Sequence, residues 1–444
     1  MEDAASATSQ APLLRYMLPD YLAEDPGLKA LLARLHLILK NSQHAPEIIR
    51  IIEAYSSRLV DEASRVMNKR CTGSYPVSQG GFNTVFLLTF EDGTDALARM
   101  RGSPYNDVSM YPQLLEHEFR SEVATIEFVH NNTSITVPKV YHYEADVNNA
   151  LGTRYTIMQR IPGVSLDTRW LSMSPEERRE IVRQIATIQS QLLRIPFPAI
   201  GNLMDNQGTL GPLGLFSTYP FNLREPHRGP FTSAKEFFEA HIRSEFLLIS
   251  NRVEWDSGRV FWKDLNGGVD AMSATYATQW LSLLLAAILD VPPDDFDSPF
   301  ILTHDDFSES NLLVSPEGSE IVGLVDWQGS RVCPLWNGRR FETFLDHPRI
   351  LADQEELESL RELHSDTILE QTDEYIGFSP LRLNSLLRLA DYSQSVMSSR
   401  DKLNSMFLKW YTAVVSDGYE DRLEPFLPLK LFIEAHQDNP RGST

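Results

Sequence analysis

Two short stretches, about two thirds of the way along the chain, carry the side chains with the clearest chemical potential. The first, Leu-Thr-His-Asp-Asp-Phe-Ser-Glu-Ser-Asn-Leu-Leu, places His304, Asp306 and Asn311 in one loop. The second, Ile-Val-Gly-Leu-Val-Asp-Trp, is an apolar strand that ends in Asp326. An Asp and an Asn five positions apart, followed by another Asp after a hairpin, suit phosphoryl transfer between ATP and a hydroxyl group.

Each of these residues has a predicted role. Asp306 is the candidate catalytic base, which would accept or orient the proton of a substrate hydroxyl. Asn311 and Asp326 offer hard oxygen ligands, which suit Mg²⁺. His304 is expected to brace the loop by hydrogen bonding, and Asp305 is expected to be solvated. The alternative is a metal hydrolase that uses His304, Asp305 and Asp306, but that reading leaves Asn311 unexplained.

A glycine-rich turn far upstream could bind the phosphates that this chemistry needs. The sequence Gln-Gly-Gly-Phe-Asn lies between two predicted strands, and its candidate nucleotide-binding residues are Gly80, Gly81, Phe82 and Asn83. Glycines there let consecutive backbone N–H groups converge on phosphate oxygens. A Gly-Gly pair in a hairpin is also an ordinary turn, so the assignment depends on its place at the start of a β-rich unit.

A cation on the third predicted strand is a second candidate for the phosphates. Arg99 lies among apolar residues, where a buried charge needs a partner. Glu122 on the next helix is the preferred partner, and Glu118, one turn away, is the rival. Such a pair would aim the guanidinium at the nucleotide phosphates. The alternative is a solvent-facing arginine on an edge strand.

The exit from the last predicted strand is the candidate adenine site. Backbone groups near Gln159 and Ile161, just before Pro162-Gly163, could bind the edge of the base. An ordinary exit from a strand into a loop explains the same residues. The assignment is therefore one of position only.

The pattern around these residues predicts an α+β protein. A first strand is predicted from about residue 75, two more at 84–90 and 96–100, then a helix at 116–130 and two strands at 138–143 and 155–158. This order gives a small antiparallel sheet with one helix on a face. Further helices are predicted at 234–252, 274–289, 354–372, 381–398 and 402–415, with a loop at 202–232 and a loose tail at 1–15.

Helix signals also divide the chain. A helix begins at Asp25-Pro26 and another after Pro46, and Ser174-Pro-Glu-Glu177 is a capping box. The predicted units are an N-terminal helical extension (1–70), a nucleotide-binding sheet unit (71–161) and a helical unit (162–444) that contains the catalytic segment 302–327.

The bulk composition excludes several classes of protein. The net charge of −21 argues against nucleic acid or an anionic membrane as partner. Two distant cysteines suggest a reducing compartment, and the acidic first residues are unlike a secretory signal or a transit peptide. The longest apolar run, near 280–289, is too short to span a bilayer. A cytoplasmic location is expected.

The chain resembles the aminoglycoside phosphotransferase and choline kinase-like family, especially its large fungal-type branch. The resemblance covers about 75–340, and is carried by Gly80-Gly-Phe-Asn83, Arg99, Ser121-Glu-Val-Ala124, Val137-Pro-Lys-Val140, Ile161-Pro-Gly163, His304-Asp-Asp-Phe-Ser-Glu-Ser-Asn311 and Val325-Asp-Trp327. It implies a protein kinase-like bilobal fold, with a small antiparallel sheet lobe and a large helical lobe. It also implies ATP with Mg²⁺, and a small hydroxyl compound as phosphate acceptor.

The resemblance also implies roles. Asp306 resembles the catalytic Asp, Asn311 and Asp326 resemble the Mg²⁺ ligands, and Glu122 resembles the helix glutamate that pairs with the phosphate-binding cation. That cation, Arg99, stands where kinases usually have Lys. In three further departures, Asp305 replaces a frequent Gly, Ser308-Glu-Ser310 replaces the usual His-Pro-Gly, and Gln328 replaces a frequent Glu.

The sequence therefore predicts an ATP- and Mg²⁺-dependent phosphotransferase that acts on a small molecule. The first alternative is a catalytically inactive kinase-like module that binds ATP or partners. The usual signature of such a module is a missing base or metal ligand, but Asp306, Asn311 and Asp326 are all present here. The second alternative is a protein kinase, which Asp-Trp-Gln in place of Asp-Phe-Gly argues against.

Overall fold

The computed structural model describes residues 18–101, 112–214, 227–252, 271–296, 298–337, 345, 353–372, 382, 385 and 400–437. Within these residues the protein combines an antiparallel sheet with many helices, which confirms the predicted α+β class. The predicted tail at 1–15 lies outside the described residues, as does nearly all of the predicted helix at 381–398.

Three helices precede the sheet. They are α1 (Asp20–Ala23), α2 (Pro26–Asn41) and α3 (Ala45–Met67). Helix α2 begins as predicted, because Asp25 caps it by accepting a hydrogen bond from the Leu28 N–H at 2.9 Å. Helix α3 ends at Asn68, whose φ of 50° is left-handed.

Five strands then form one antiparallel sheet in the order β1-β2-β3-β5-β4. The strands are β1 (Cys71–Gln79), β2 (Asn83–Phe90), β3 (Asp95–Arg101), β4 (Val140–Glu144) and β5 (Tyr155–Met158). Helix α4 (Pro112–Asn132) lies between β3 and β4 in the chain. The predicted order of three strands, a helix and two strands is confirmed.

Side chains alternate along β3 and so serve two different faces of the sheet. Ala96, Ala98 and Met100 are buried in a core that they share with residues of α3. Arg99 and Arg101 point to the other face, where Arg99 meets α4. Helix α3 therefore packs on the sheet face opposite to the predicted chemistry.

The remaining elements are short strands among longer helices. They are β6 (Val164–Ser165), α5 (Leu166–Arg169), α6 (Pro175–Leu193), β7 (Pro196–Phe197), β8 (Asn202–Leu203), β9 (Leu210–Gly211), α7 (Ala234–Arg252), α8 (Ala271–Asp290), β10 (Phe300–Thr303), β11 (Leu312–Val314), β12 (Ile321–Leu324), β13 (Arg331–Pro334), α9 (Gln354–Gln371), α10 (Arg400–Ser416) and α11 (Leu427–Gln437). The predicted capping box at Ser174 is present at the start of α6. Part of the predicted loop at 202–232 is instead the β8–β9 hairpin.

Two large cores hold these elements together. One joins α7, α8, α10 and α11 around aromatic side chains such as Trp280 and Phe407. The other joins α4, α6 and α9 to the strands of the catalytic segment, and it buries Trp327 completely. None of the helices in the described parts of the chain is both long and apolar enough to cross a membrane.

Candidate active site

A β-hairpin brings the two predicted metal ligands together. Strands β11 and β12 pair with Leu312 opposite Leu324. One step beyond this pair, the Val325 N–H donates to the Asn311 carbonyl at 3.0 Å. Because Asp326 follows Val325 directly, Asn311 and Asp326 both lie at the open end of the hairpin.

Asn311 also holds the predicted base. Its Nδ2 donates to the Asp306 carbonyl at 2.8 Å and to Asp306 Oδ2 at 2.9 Å. This orientation leaves the amide oxygen of Asn311 for a cation. An oxygen atom is the ligand that a hard metal ion prefers. Asn311 is buried and Asp306 is exposed, so the carboxylate of the base faces solvent while its support does not.

His304 makes the bracing contact that the sequence predicted. Its Nε2–H donates to the Val325 carbonyl at 3.0 Å, which ties the loop to the residue before Asp326. The ring is buried, and its centroid lies 4.7 Å from that of Trp327 in an edge-on contact. Burial lowers the pKa of His304, so the ring is neutral near pH 7.

Asp326 has a strained backbone. Its φ of 63° is left-handed, a region that costs a non-glycine residue roughly 1–3 kcal/mol. Aspartate tolerates this region better than most side chains. Hydrogen bonds on both sides hold it there, from His304 to the preceding carbonyl and from Arg99 Nη1 to its own Oδ1 at 3.0 Å. Strain of this kind concentrates at functional sites.

Arg99 bridges two carboxylates. Its Nη2 forms an ion pair with Glu122 Oε2, and its Nη1 contacts Asp326 Oδ1. Glu122 was the preferred partner in the sequence analysis, and the predicted contact is present. Burial opposes the charge of Arg99, but the two carboxylates outweigh it and raise its pKa. Burial also raises the pKa of Glu122, against the effect of Arg99.

The glycine-rich turn is braced by its own side chains. The Gly80 N–H donates to the Asn83 carbonyl at 2.8 Å and closes the turn between β1 and β2. Gln79 Nε2 donates to the Gly80 carbonyl at 2.8 Å, and Thr84 Oγ1 donates to Gln79 Oε1 at 2.7 Å. These hydrogen bonds hold the turn in place, and Gly81 and Phe82 lie at its tip.

Sequence reasoning missed a link between this turn and the catalytic hairpin. Gln328 Oε1 accepts from Arg101 Nη1 at 2.8 Å and from Asn83 Nδ2 at 3.2 Å. The Arg101 guanidinium lies 5.0 Å from the centre of the Phe82 ring. Burial and the nearby charge of Arg99 lower the pKa of Arg101 to about 10, so Arg101 is still charged at neutral pH. The only sequence signal was the spacing of the two arginines, which places both on one face of β3.

The expectation that Asp305 is merely solvated was wrong. Its Oδ1 lies 3.4 Å from Nη1 of Arg331, a buried residue of β13. A partly buried charge near a guanidinium gains from pairing with it, and this pair anchors the loop. The described residues hold no group of three or more His, Cys, Asp or Glu side chains placed to bind a metal ion.

Loop residues 309 and 310 have a second anchor that the sequence did not reveal. Ser165 Oγ lies 3.2 Å from the Glu309 carbonyl and 3.1 Å from the Ser310 carbonyl. The Asp167 N–H donates to the same Glu309 carbonyl at 3.2 Å. Segment 165–167 therefore supports the loop that carries Asp306.

The predicted adenine-binding residues lie between the sheet and the hairpin. The Gln159 N–H donates to the Lys139 carbonyl at 2.8 Å, so this amide extends the β4–β5 pairing and is not available to a base. Ile161 packs on Gly323 of β12, where an added Cβ would lie 2.7 Å from Ile161 Cδ1. Ile161 thus lies beside the catalytic hairpin, and Gln159 lies at the end of the sheet.

Comparison with known proteins agrees with this geometry. The model of the phosphotransferase enzyme family matches residues 76–337, more than half of the chain and all of the predicted site residues. The chain belongs to this family. The resemblance that its motifs suggested is therefore confirmed.

Individual relatives are distant. The subtelomeric hrmA-associated cluster protein of Aspergillus fumigatus is 25% identical over 335 residues, 65% of this chain and 64% of that protein. Altered inheritance of mitochondria protein 9 of Zygosaccharomyces rouxii is 25% identical over 297 residues, 56% of this chain and 47% of that protein. The chain thus spans less than two thirds of either relative. Among solved structures, aminoglycoside phosphotransferase APH(2'')-Ib with ADP is 13% identical to this chain, with a TM-score of 0.46. The match covers 85% of this chain and 98% of the chain in that structure.

Three of the departures from the usual motifs of the phosphotransferase family have a side-chain partner in the structure. Arg99, in place of Lys, contacts one carboxylate with each of its two terminal nitrogens, a fixed fork that a single ammonium group does not have. Gln328, in place of Glu, accepts from Arg101. Asp305, in place of Gly, lies against Arg331. Each of these three side chains therefore has a polar partner near the hairpin.

Proposed function

We propose that the protein is an ATP- and Mg²⁺-dependent phosphotransferase that transfers the γ-phosphoryl group to a hydroxyl of a small molecule. The observation that carries the proposal is the double hydrogen bond from Asn311 to Asp306 beside Asp326 and Arg99. It gathers a base, two oxygen ligands and a paired cation at one hairpin. Phosphoryl transfer depends on this positioning and charge stabilisation more than on covalent chemistry.

Each side chain then has one task. Asp306 orients the acceptor hydroxyl and takes its proton as the new oxygen–phosphorus bond forms and the bond from the γ-phosphorus to the leaving ADP oxygen breaks. Arg99 is aimed by Glu122 toward the phosphates. Asn311 Oδ1 and Asp326 would hold Mg²⁺, which, when bound, neutralises charge on the phosphate oxygens. The exposure of Asp306 leaves room for a small acceptor.

The test compares Asp306→Asn with the unmodified protein. Asn keeps the shape of the side chain and removes its negative charge. Because a general base typically contributes ~10²–10⁴-fold in rate, phosphate transfer or slow ATP hydrolysis should fall by about that factor. Affinity for ATP, measured by calorimetry with and without Mg²⁺, should depend on Mg²⁺ and should change little in the variant.

The matched control is Glu309→Gln, which neutralises a carboxylate three positions further along the same loop and should retain turnover. Parental turnover in Asp306→Asn would refute the proposed role of Asp306. If the parent binds Mg·ATP but phosphorylates nothing in a panel of amino alcohols, sugars and aminoglycosides, and does not hydrolyse ATP, the protein is an inactive ATP-binding module instead.

We also propose a cytoplasmic location, because the two cysteines, Cys71 and Cys333, are buried and form no disulfide. The name of the Zygosaccharomyces rouxii relative places that protein in mitochondria. Fluorescence microscopy of the tagged full chain decides between the two compartments.

A further inference from the structure

Helix α2 is fastened to the strand exit that contains the predicted adenine site. Arg160, between Gln159 and Ile161, donates from Nη1 to Asp25 Oδ2 at 2.7 Å. Its Nε donates to Asp95 Oδ2, at the start of β3, at 2.9 Å. All three side chains of this cluster, which we call the Arg160 clamp, are largely buried. Asp25 is also the residue that caps α2, so the clamp fixes the first turn of the helix.

A close backbone approach reinforces the clamp. A Cβ added at Gly27 would lie only 2.1 Å from the Gly163 carbonyl oxygen, so the start of α2 rests directly on the segment that follows Ile161. Only glycine allows this approach without moving the helix. About two helical turns further on, Arg34 Nη1 lies 3.9 Å from Asp167 Oδ2.

Helix α2 packs on the sheet face that carries Arg99. Val85 is the cross-strand partner of Arg99, and Leu97 lies two residues before it on β3, so the three side chains share a face. Val85 and Leu97 pack against a small apolar core that also contains leucines of α2; these are Leu28, Leu31 and Leu32. Helix α2 therefore lies beside the candidate nucleotide site.

The position of Leu97 indicates which part of a nucleotide would meet this core. Leu97 pairs with Met158, the residue immediately before Gln159, and it precedes Arg99 by two positions. It thus lies between the segment proposed to bind the base and the cation proposed to bind the phosphates. Val85 and Leu97 remain partly exposed, which leaves an apolar surface for a base between them and α2.

We propose that α2 forms a wall of the base-binding site and that Arg160 is the positioning residue that holds this wall in place. The inference rests on the proposed function and adds a nucleotide-binding element from outside the matched family region. The clamp links α2, the strand exit and β3. Loosening it therefore moves the wall away from the base and leaves the phosphate-binding groups where they are.

The experiment compares Mg·ATP with Mg·tripolyphosphate, which has the phosphate chain without the nucleoside. Two variants loosen the wall by different means. Gly27→Ala places a methyl group against the Gly163 carbonyl, and Asp25→Asn removes the charge from the clamp but keeps a good helix cap. The control is Glu24→Gln, which neutralises the adjacent carboxylate, an exposed partner of Lys29.

Coupling through such contacts is typically worth roughly two- to thirtyfold in affinity. We expect Gly27→Ala to weaken Mg·ATP binding by about tenfold and Asp25→Asn by less, with Mg·tripolyphosphate affinity unchanged in both. Glu24→Gln should bind both ligands as the parent does. Arg160→Lys should recover part of the affinity that Arg160→Gln loses, because an ammonium group can still meet one of the two carboxylates.

Each other result has a distinct meaning. Unchanged ATP affinity in both Gly27→Ala and Asp25→Asn would refute the proposal that α2 is a wall of the base-binding site. Tighter ATP binding in these variants would refute it too, because α2 would then block the site. Equal losses for ATP and tripolyphosphate also overturn it, because the contact would then be structural only. If the parent binds tripolyphosphate but binds ATP no better, there is no base site and the phosphate site still stands. If the parent binds neither Mg·ATP nor Mg·tripolyphosphate, the proposed function is refuted, and so is the proposal that α2 forms a wall of the base-binding site.

Discussion

The Arg99–Glu122 pair is a buried pair of charges, and its removal should be costly. Only 3% of the Glu122 side chain and 11% of the Arg99 side chain are exposed. Breaking such a pair leaves an uncompensated buried charge and typically costs about 3–5 kcal/mol. We expect Glu122→Ala to lower the free energy of unfolding by an amount of that order and to weaken Mg·ATP binding, since Arg99 is no longer aimed. Urea denaturation and calorimetry measure the two effects.

The same helix offers a matched control. Glu116 pairs with Arg120 at 2.8 Å, but both side chains are well exposed, so Glu116→Ala should cost less than about 1 kcal/mol. Similar losses for the two variants would mean that helix propensity, and not the buried pair, sets the result. A loss of stability in Glu122→Ala with unchanged ATP affinity would make the pair structural only.

Gln328 accepts hydrogen bonds from both Arg101 and Asn83, and so joins β3 and the glycine-rich turn to the end of the catalytic hairpin. Gln328→Ala should let the glycine-rich turn move relative to the catalytic hairpin. We expect Mg·ATP affinity to fall by roughly two- to thirtyfold, the range seen for residues that couple a site without touching its ligand. Calorimetry measures this loss, and Gln207→Ala, at an exposed glutamine, is the control. Parental affinity in Gln328→Ala would show that the turn holds its position without this link.

At the scale of elements, the contact between α6 and α9 contains a buried histidine that should make stability depend on pH. His364 Nε2 donates to Gln189 Oε1 at 2.5 Å, and burial lowers the pKa of His364 to about 4 from an ordinary value of 6.5. Between these values a proton binds the unfolded chain and not the folded one. The contribution of His364 is therefore complete above pH 6.5 and is lost as the pH falls toward 4.

This linkage predicts a measurable difference between pH 7.0 and 5.5, above the range in which most carboxylates titrate. Over that interval His364 should lower the free energy of unfolding by about 1 kcal/mol. His364→Gln keeps a donor for Gln189 and removes the titration, so its stability should fall less over the same interval in urea denaturation. His36→Gln, at an exposed histidine of α2, should behave as the parent does. Parallel curves for all three proteins would contradict the buried, neutral state of His364.

Local signals explain which elements could be predicted from the sequence. Asp25-Pro26 and Ser174-Pro-Glu-Glu177 carry their own capping chemistry, and both helices begin there. The catalytic hairpin could be predicted for the same reason, since a turn and two short apolar strands are adjacent in the chain. The Arg99–Glu122 contact was predictable because a strand and the next helix usually pack together.

The remaining contacts join residues that are far apart in sequence and have several possible partners. Gln328 meets Arg101 across 227 positions, and Arg160 meets Asp25 across 135. Each of these side chains is also plausible at a solvated surface, so its type alone does not identify the partner. The left-handed backbone of Asp326 is likewise imposed by its neighbours, because no local residue pattern requires it.

At the scale of the whole molecule, the sheet is a middle layer. Helix α3 covers one face with Ile48, Ile52 and Leu59, all buried. The other face meets α4 through Arg99 and meets α2 through Leu97. The N-terminal helices thus contact both faces, which makes them part of the folded body that carries the site.

This arrangement predicts that the N-terminal helices cannot be removed. Deleting residues 1–70 would expose side chains of the sheet that are now buried; these include Phe86, Leu88, Met100 and Ile157. Such an apolar patch favours aggregation, so we expect the truncated chain to bind a hydrophobic dye and to elute as aggregates in size-exclusion chromatography.

A point substitution tests the same cover without truncation. Leu59→Ala should cost about 2–5 kcal/mol, the usual range for a buried leucine. Leu37→Ala, at a leucine of α2 that is 59% exposed, should change stability by less than about 0.5 kcal/mol. A monomeric truncated protein that retains Mg·ATP binding, together with a negligible effect of Leu59→Ala, would show that the sheet is stable without its N-terminal cover. The retained binding alone would also contradict the proposed wall, because the truncation removes α2.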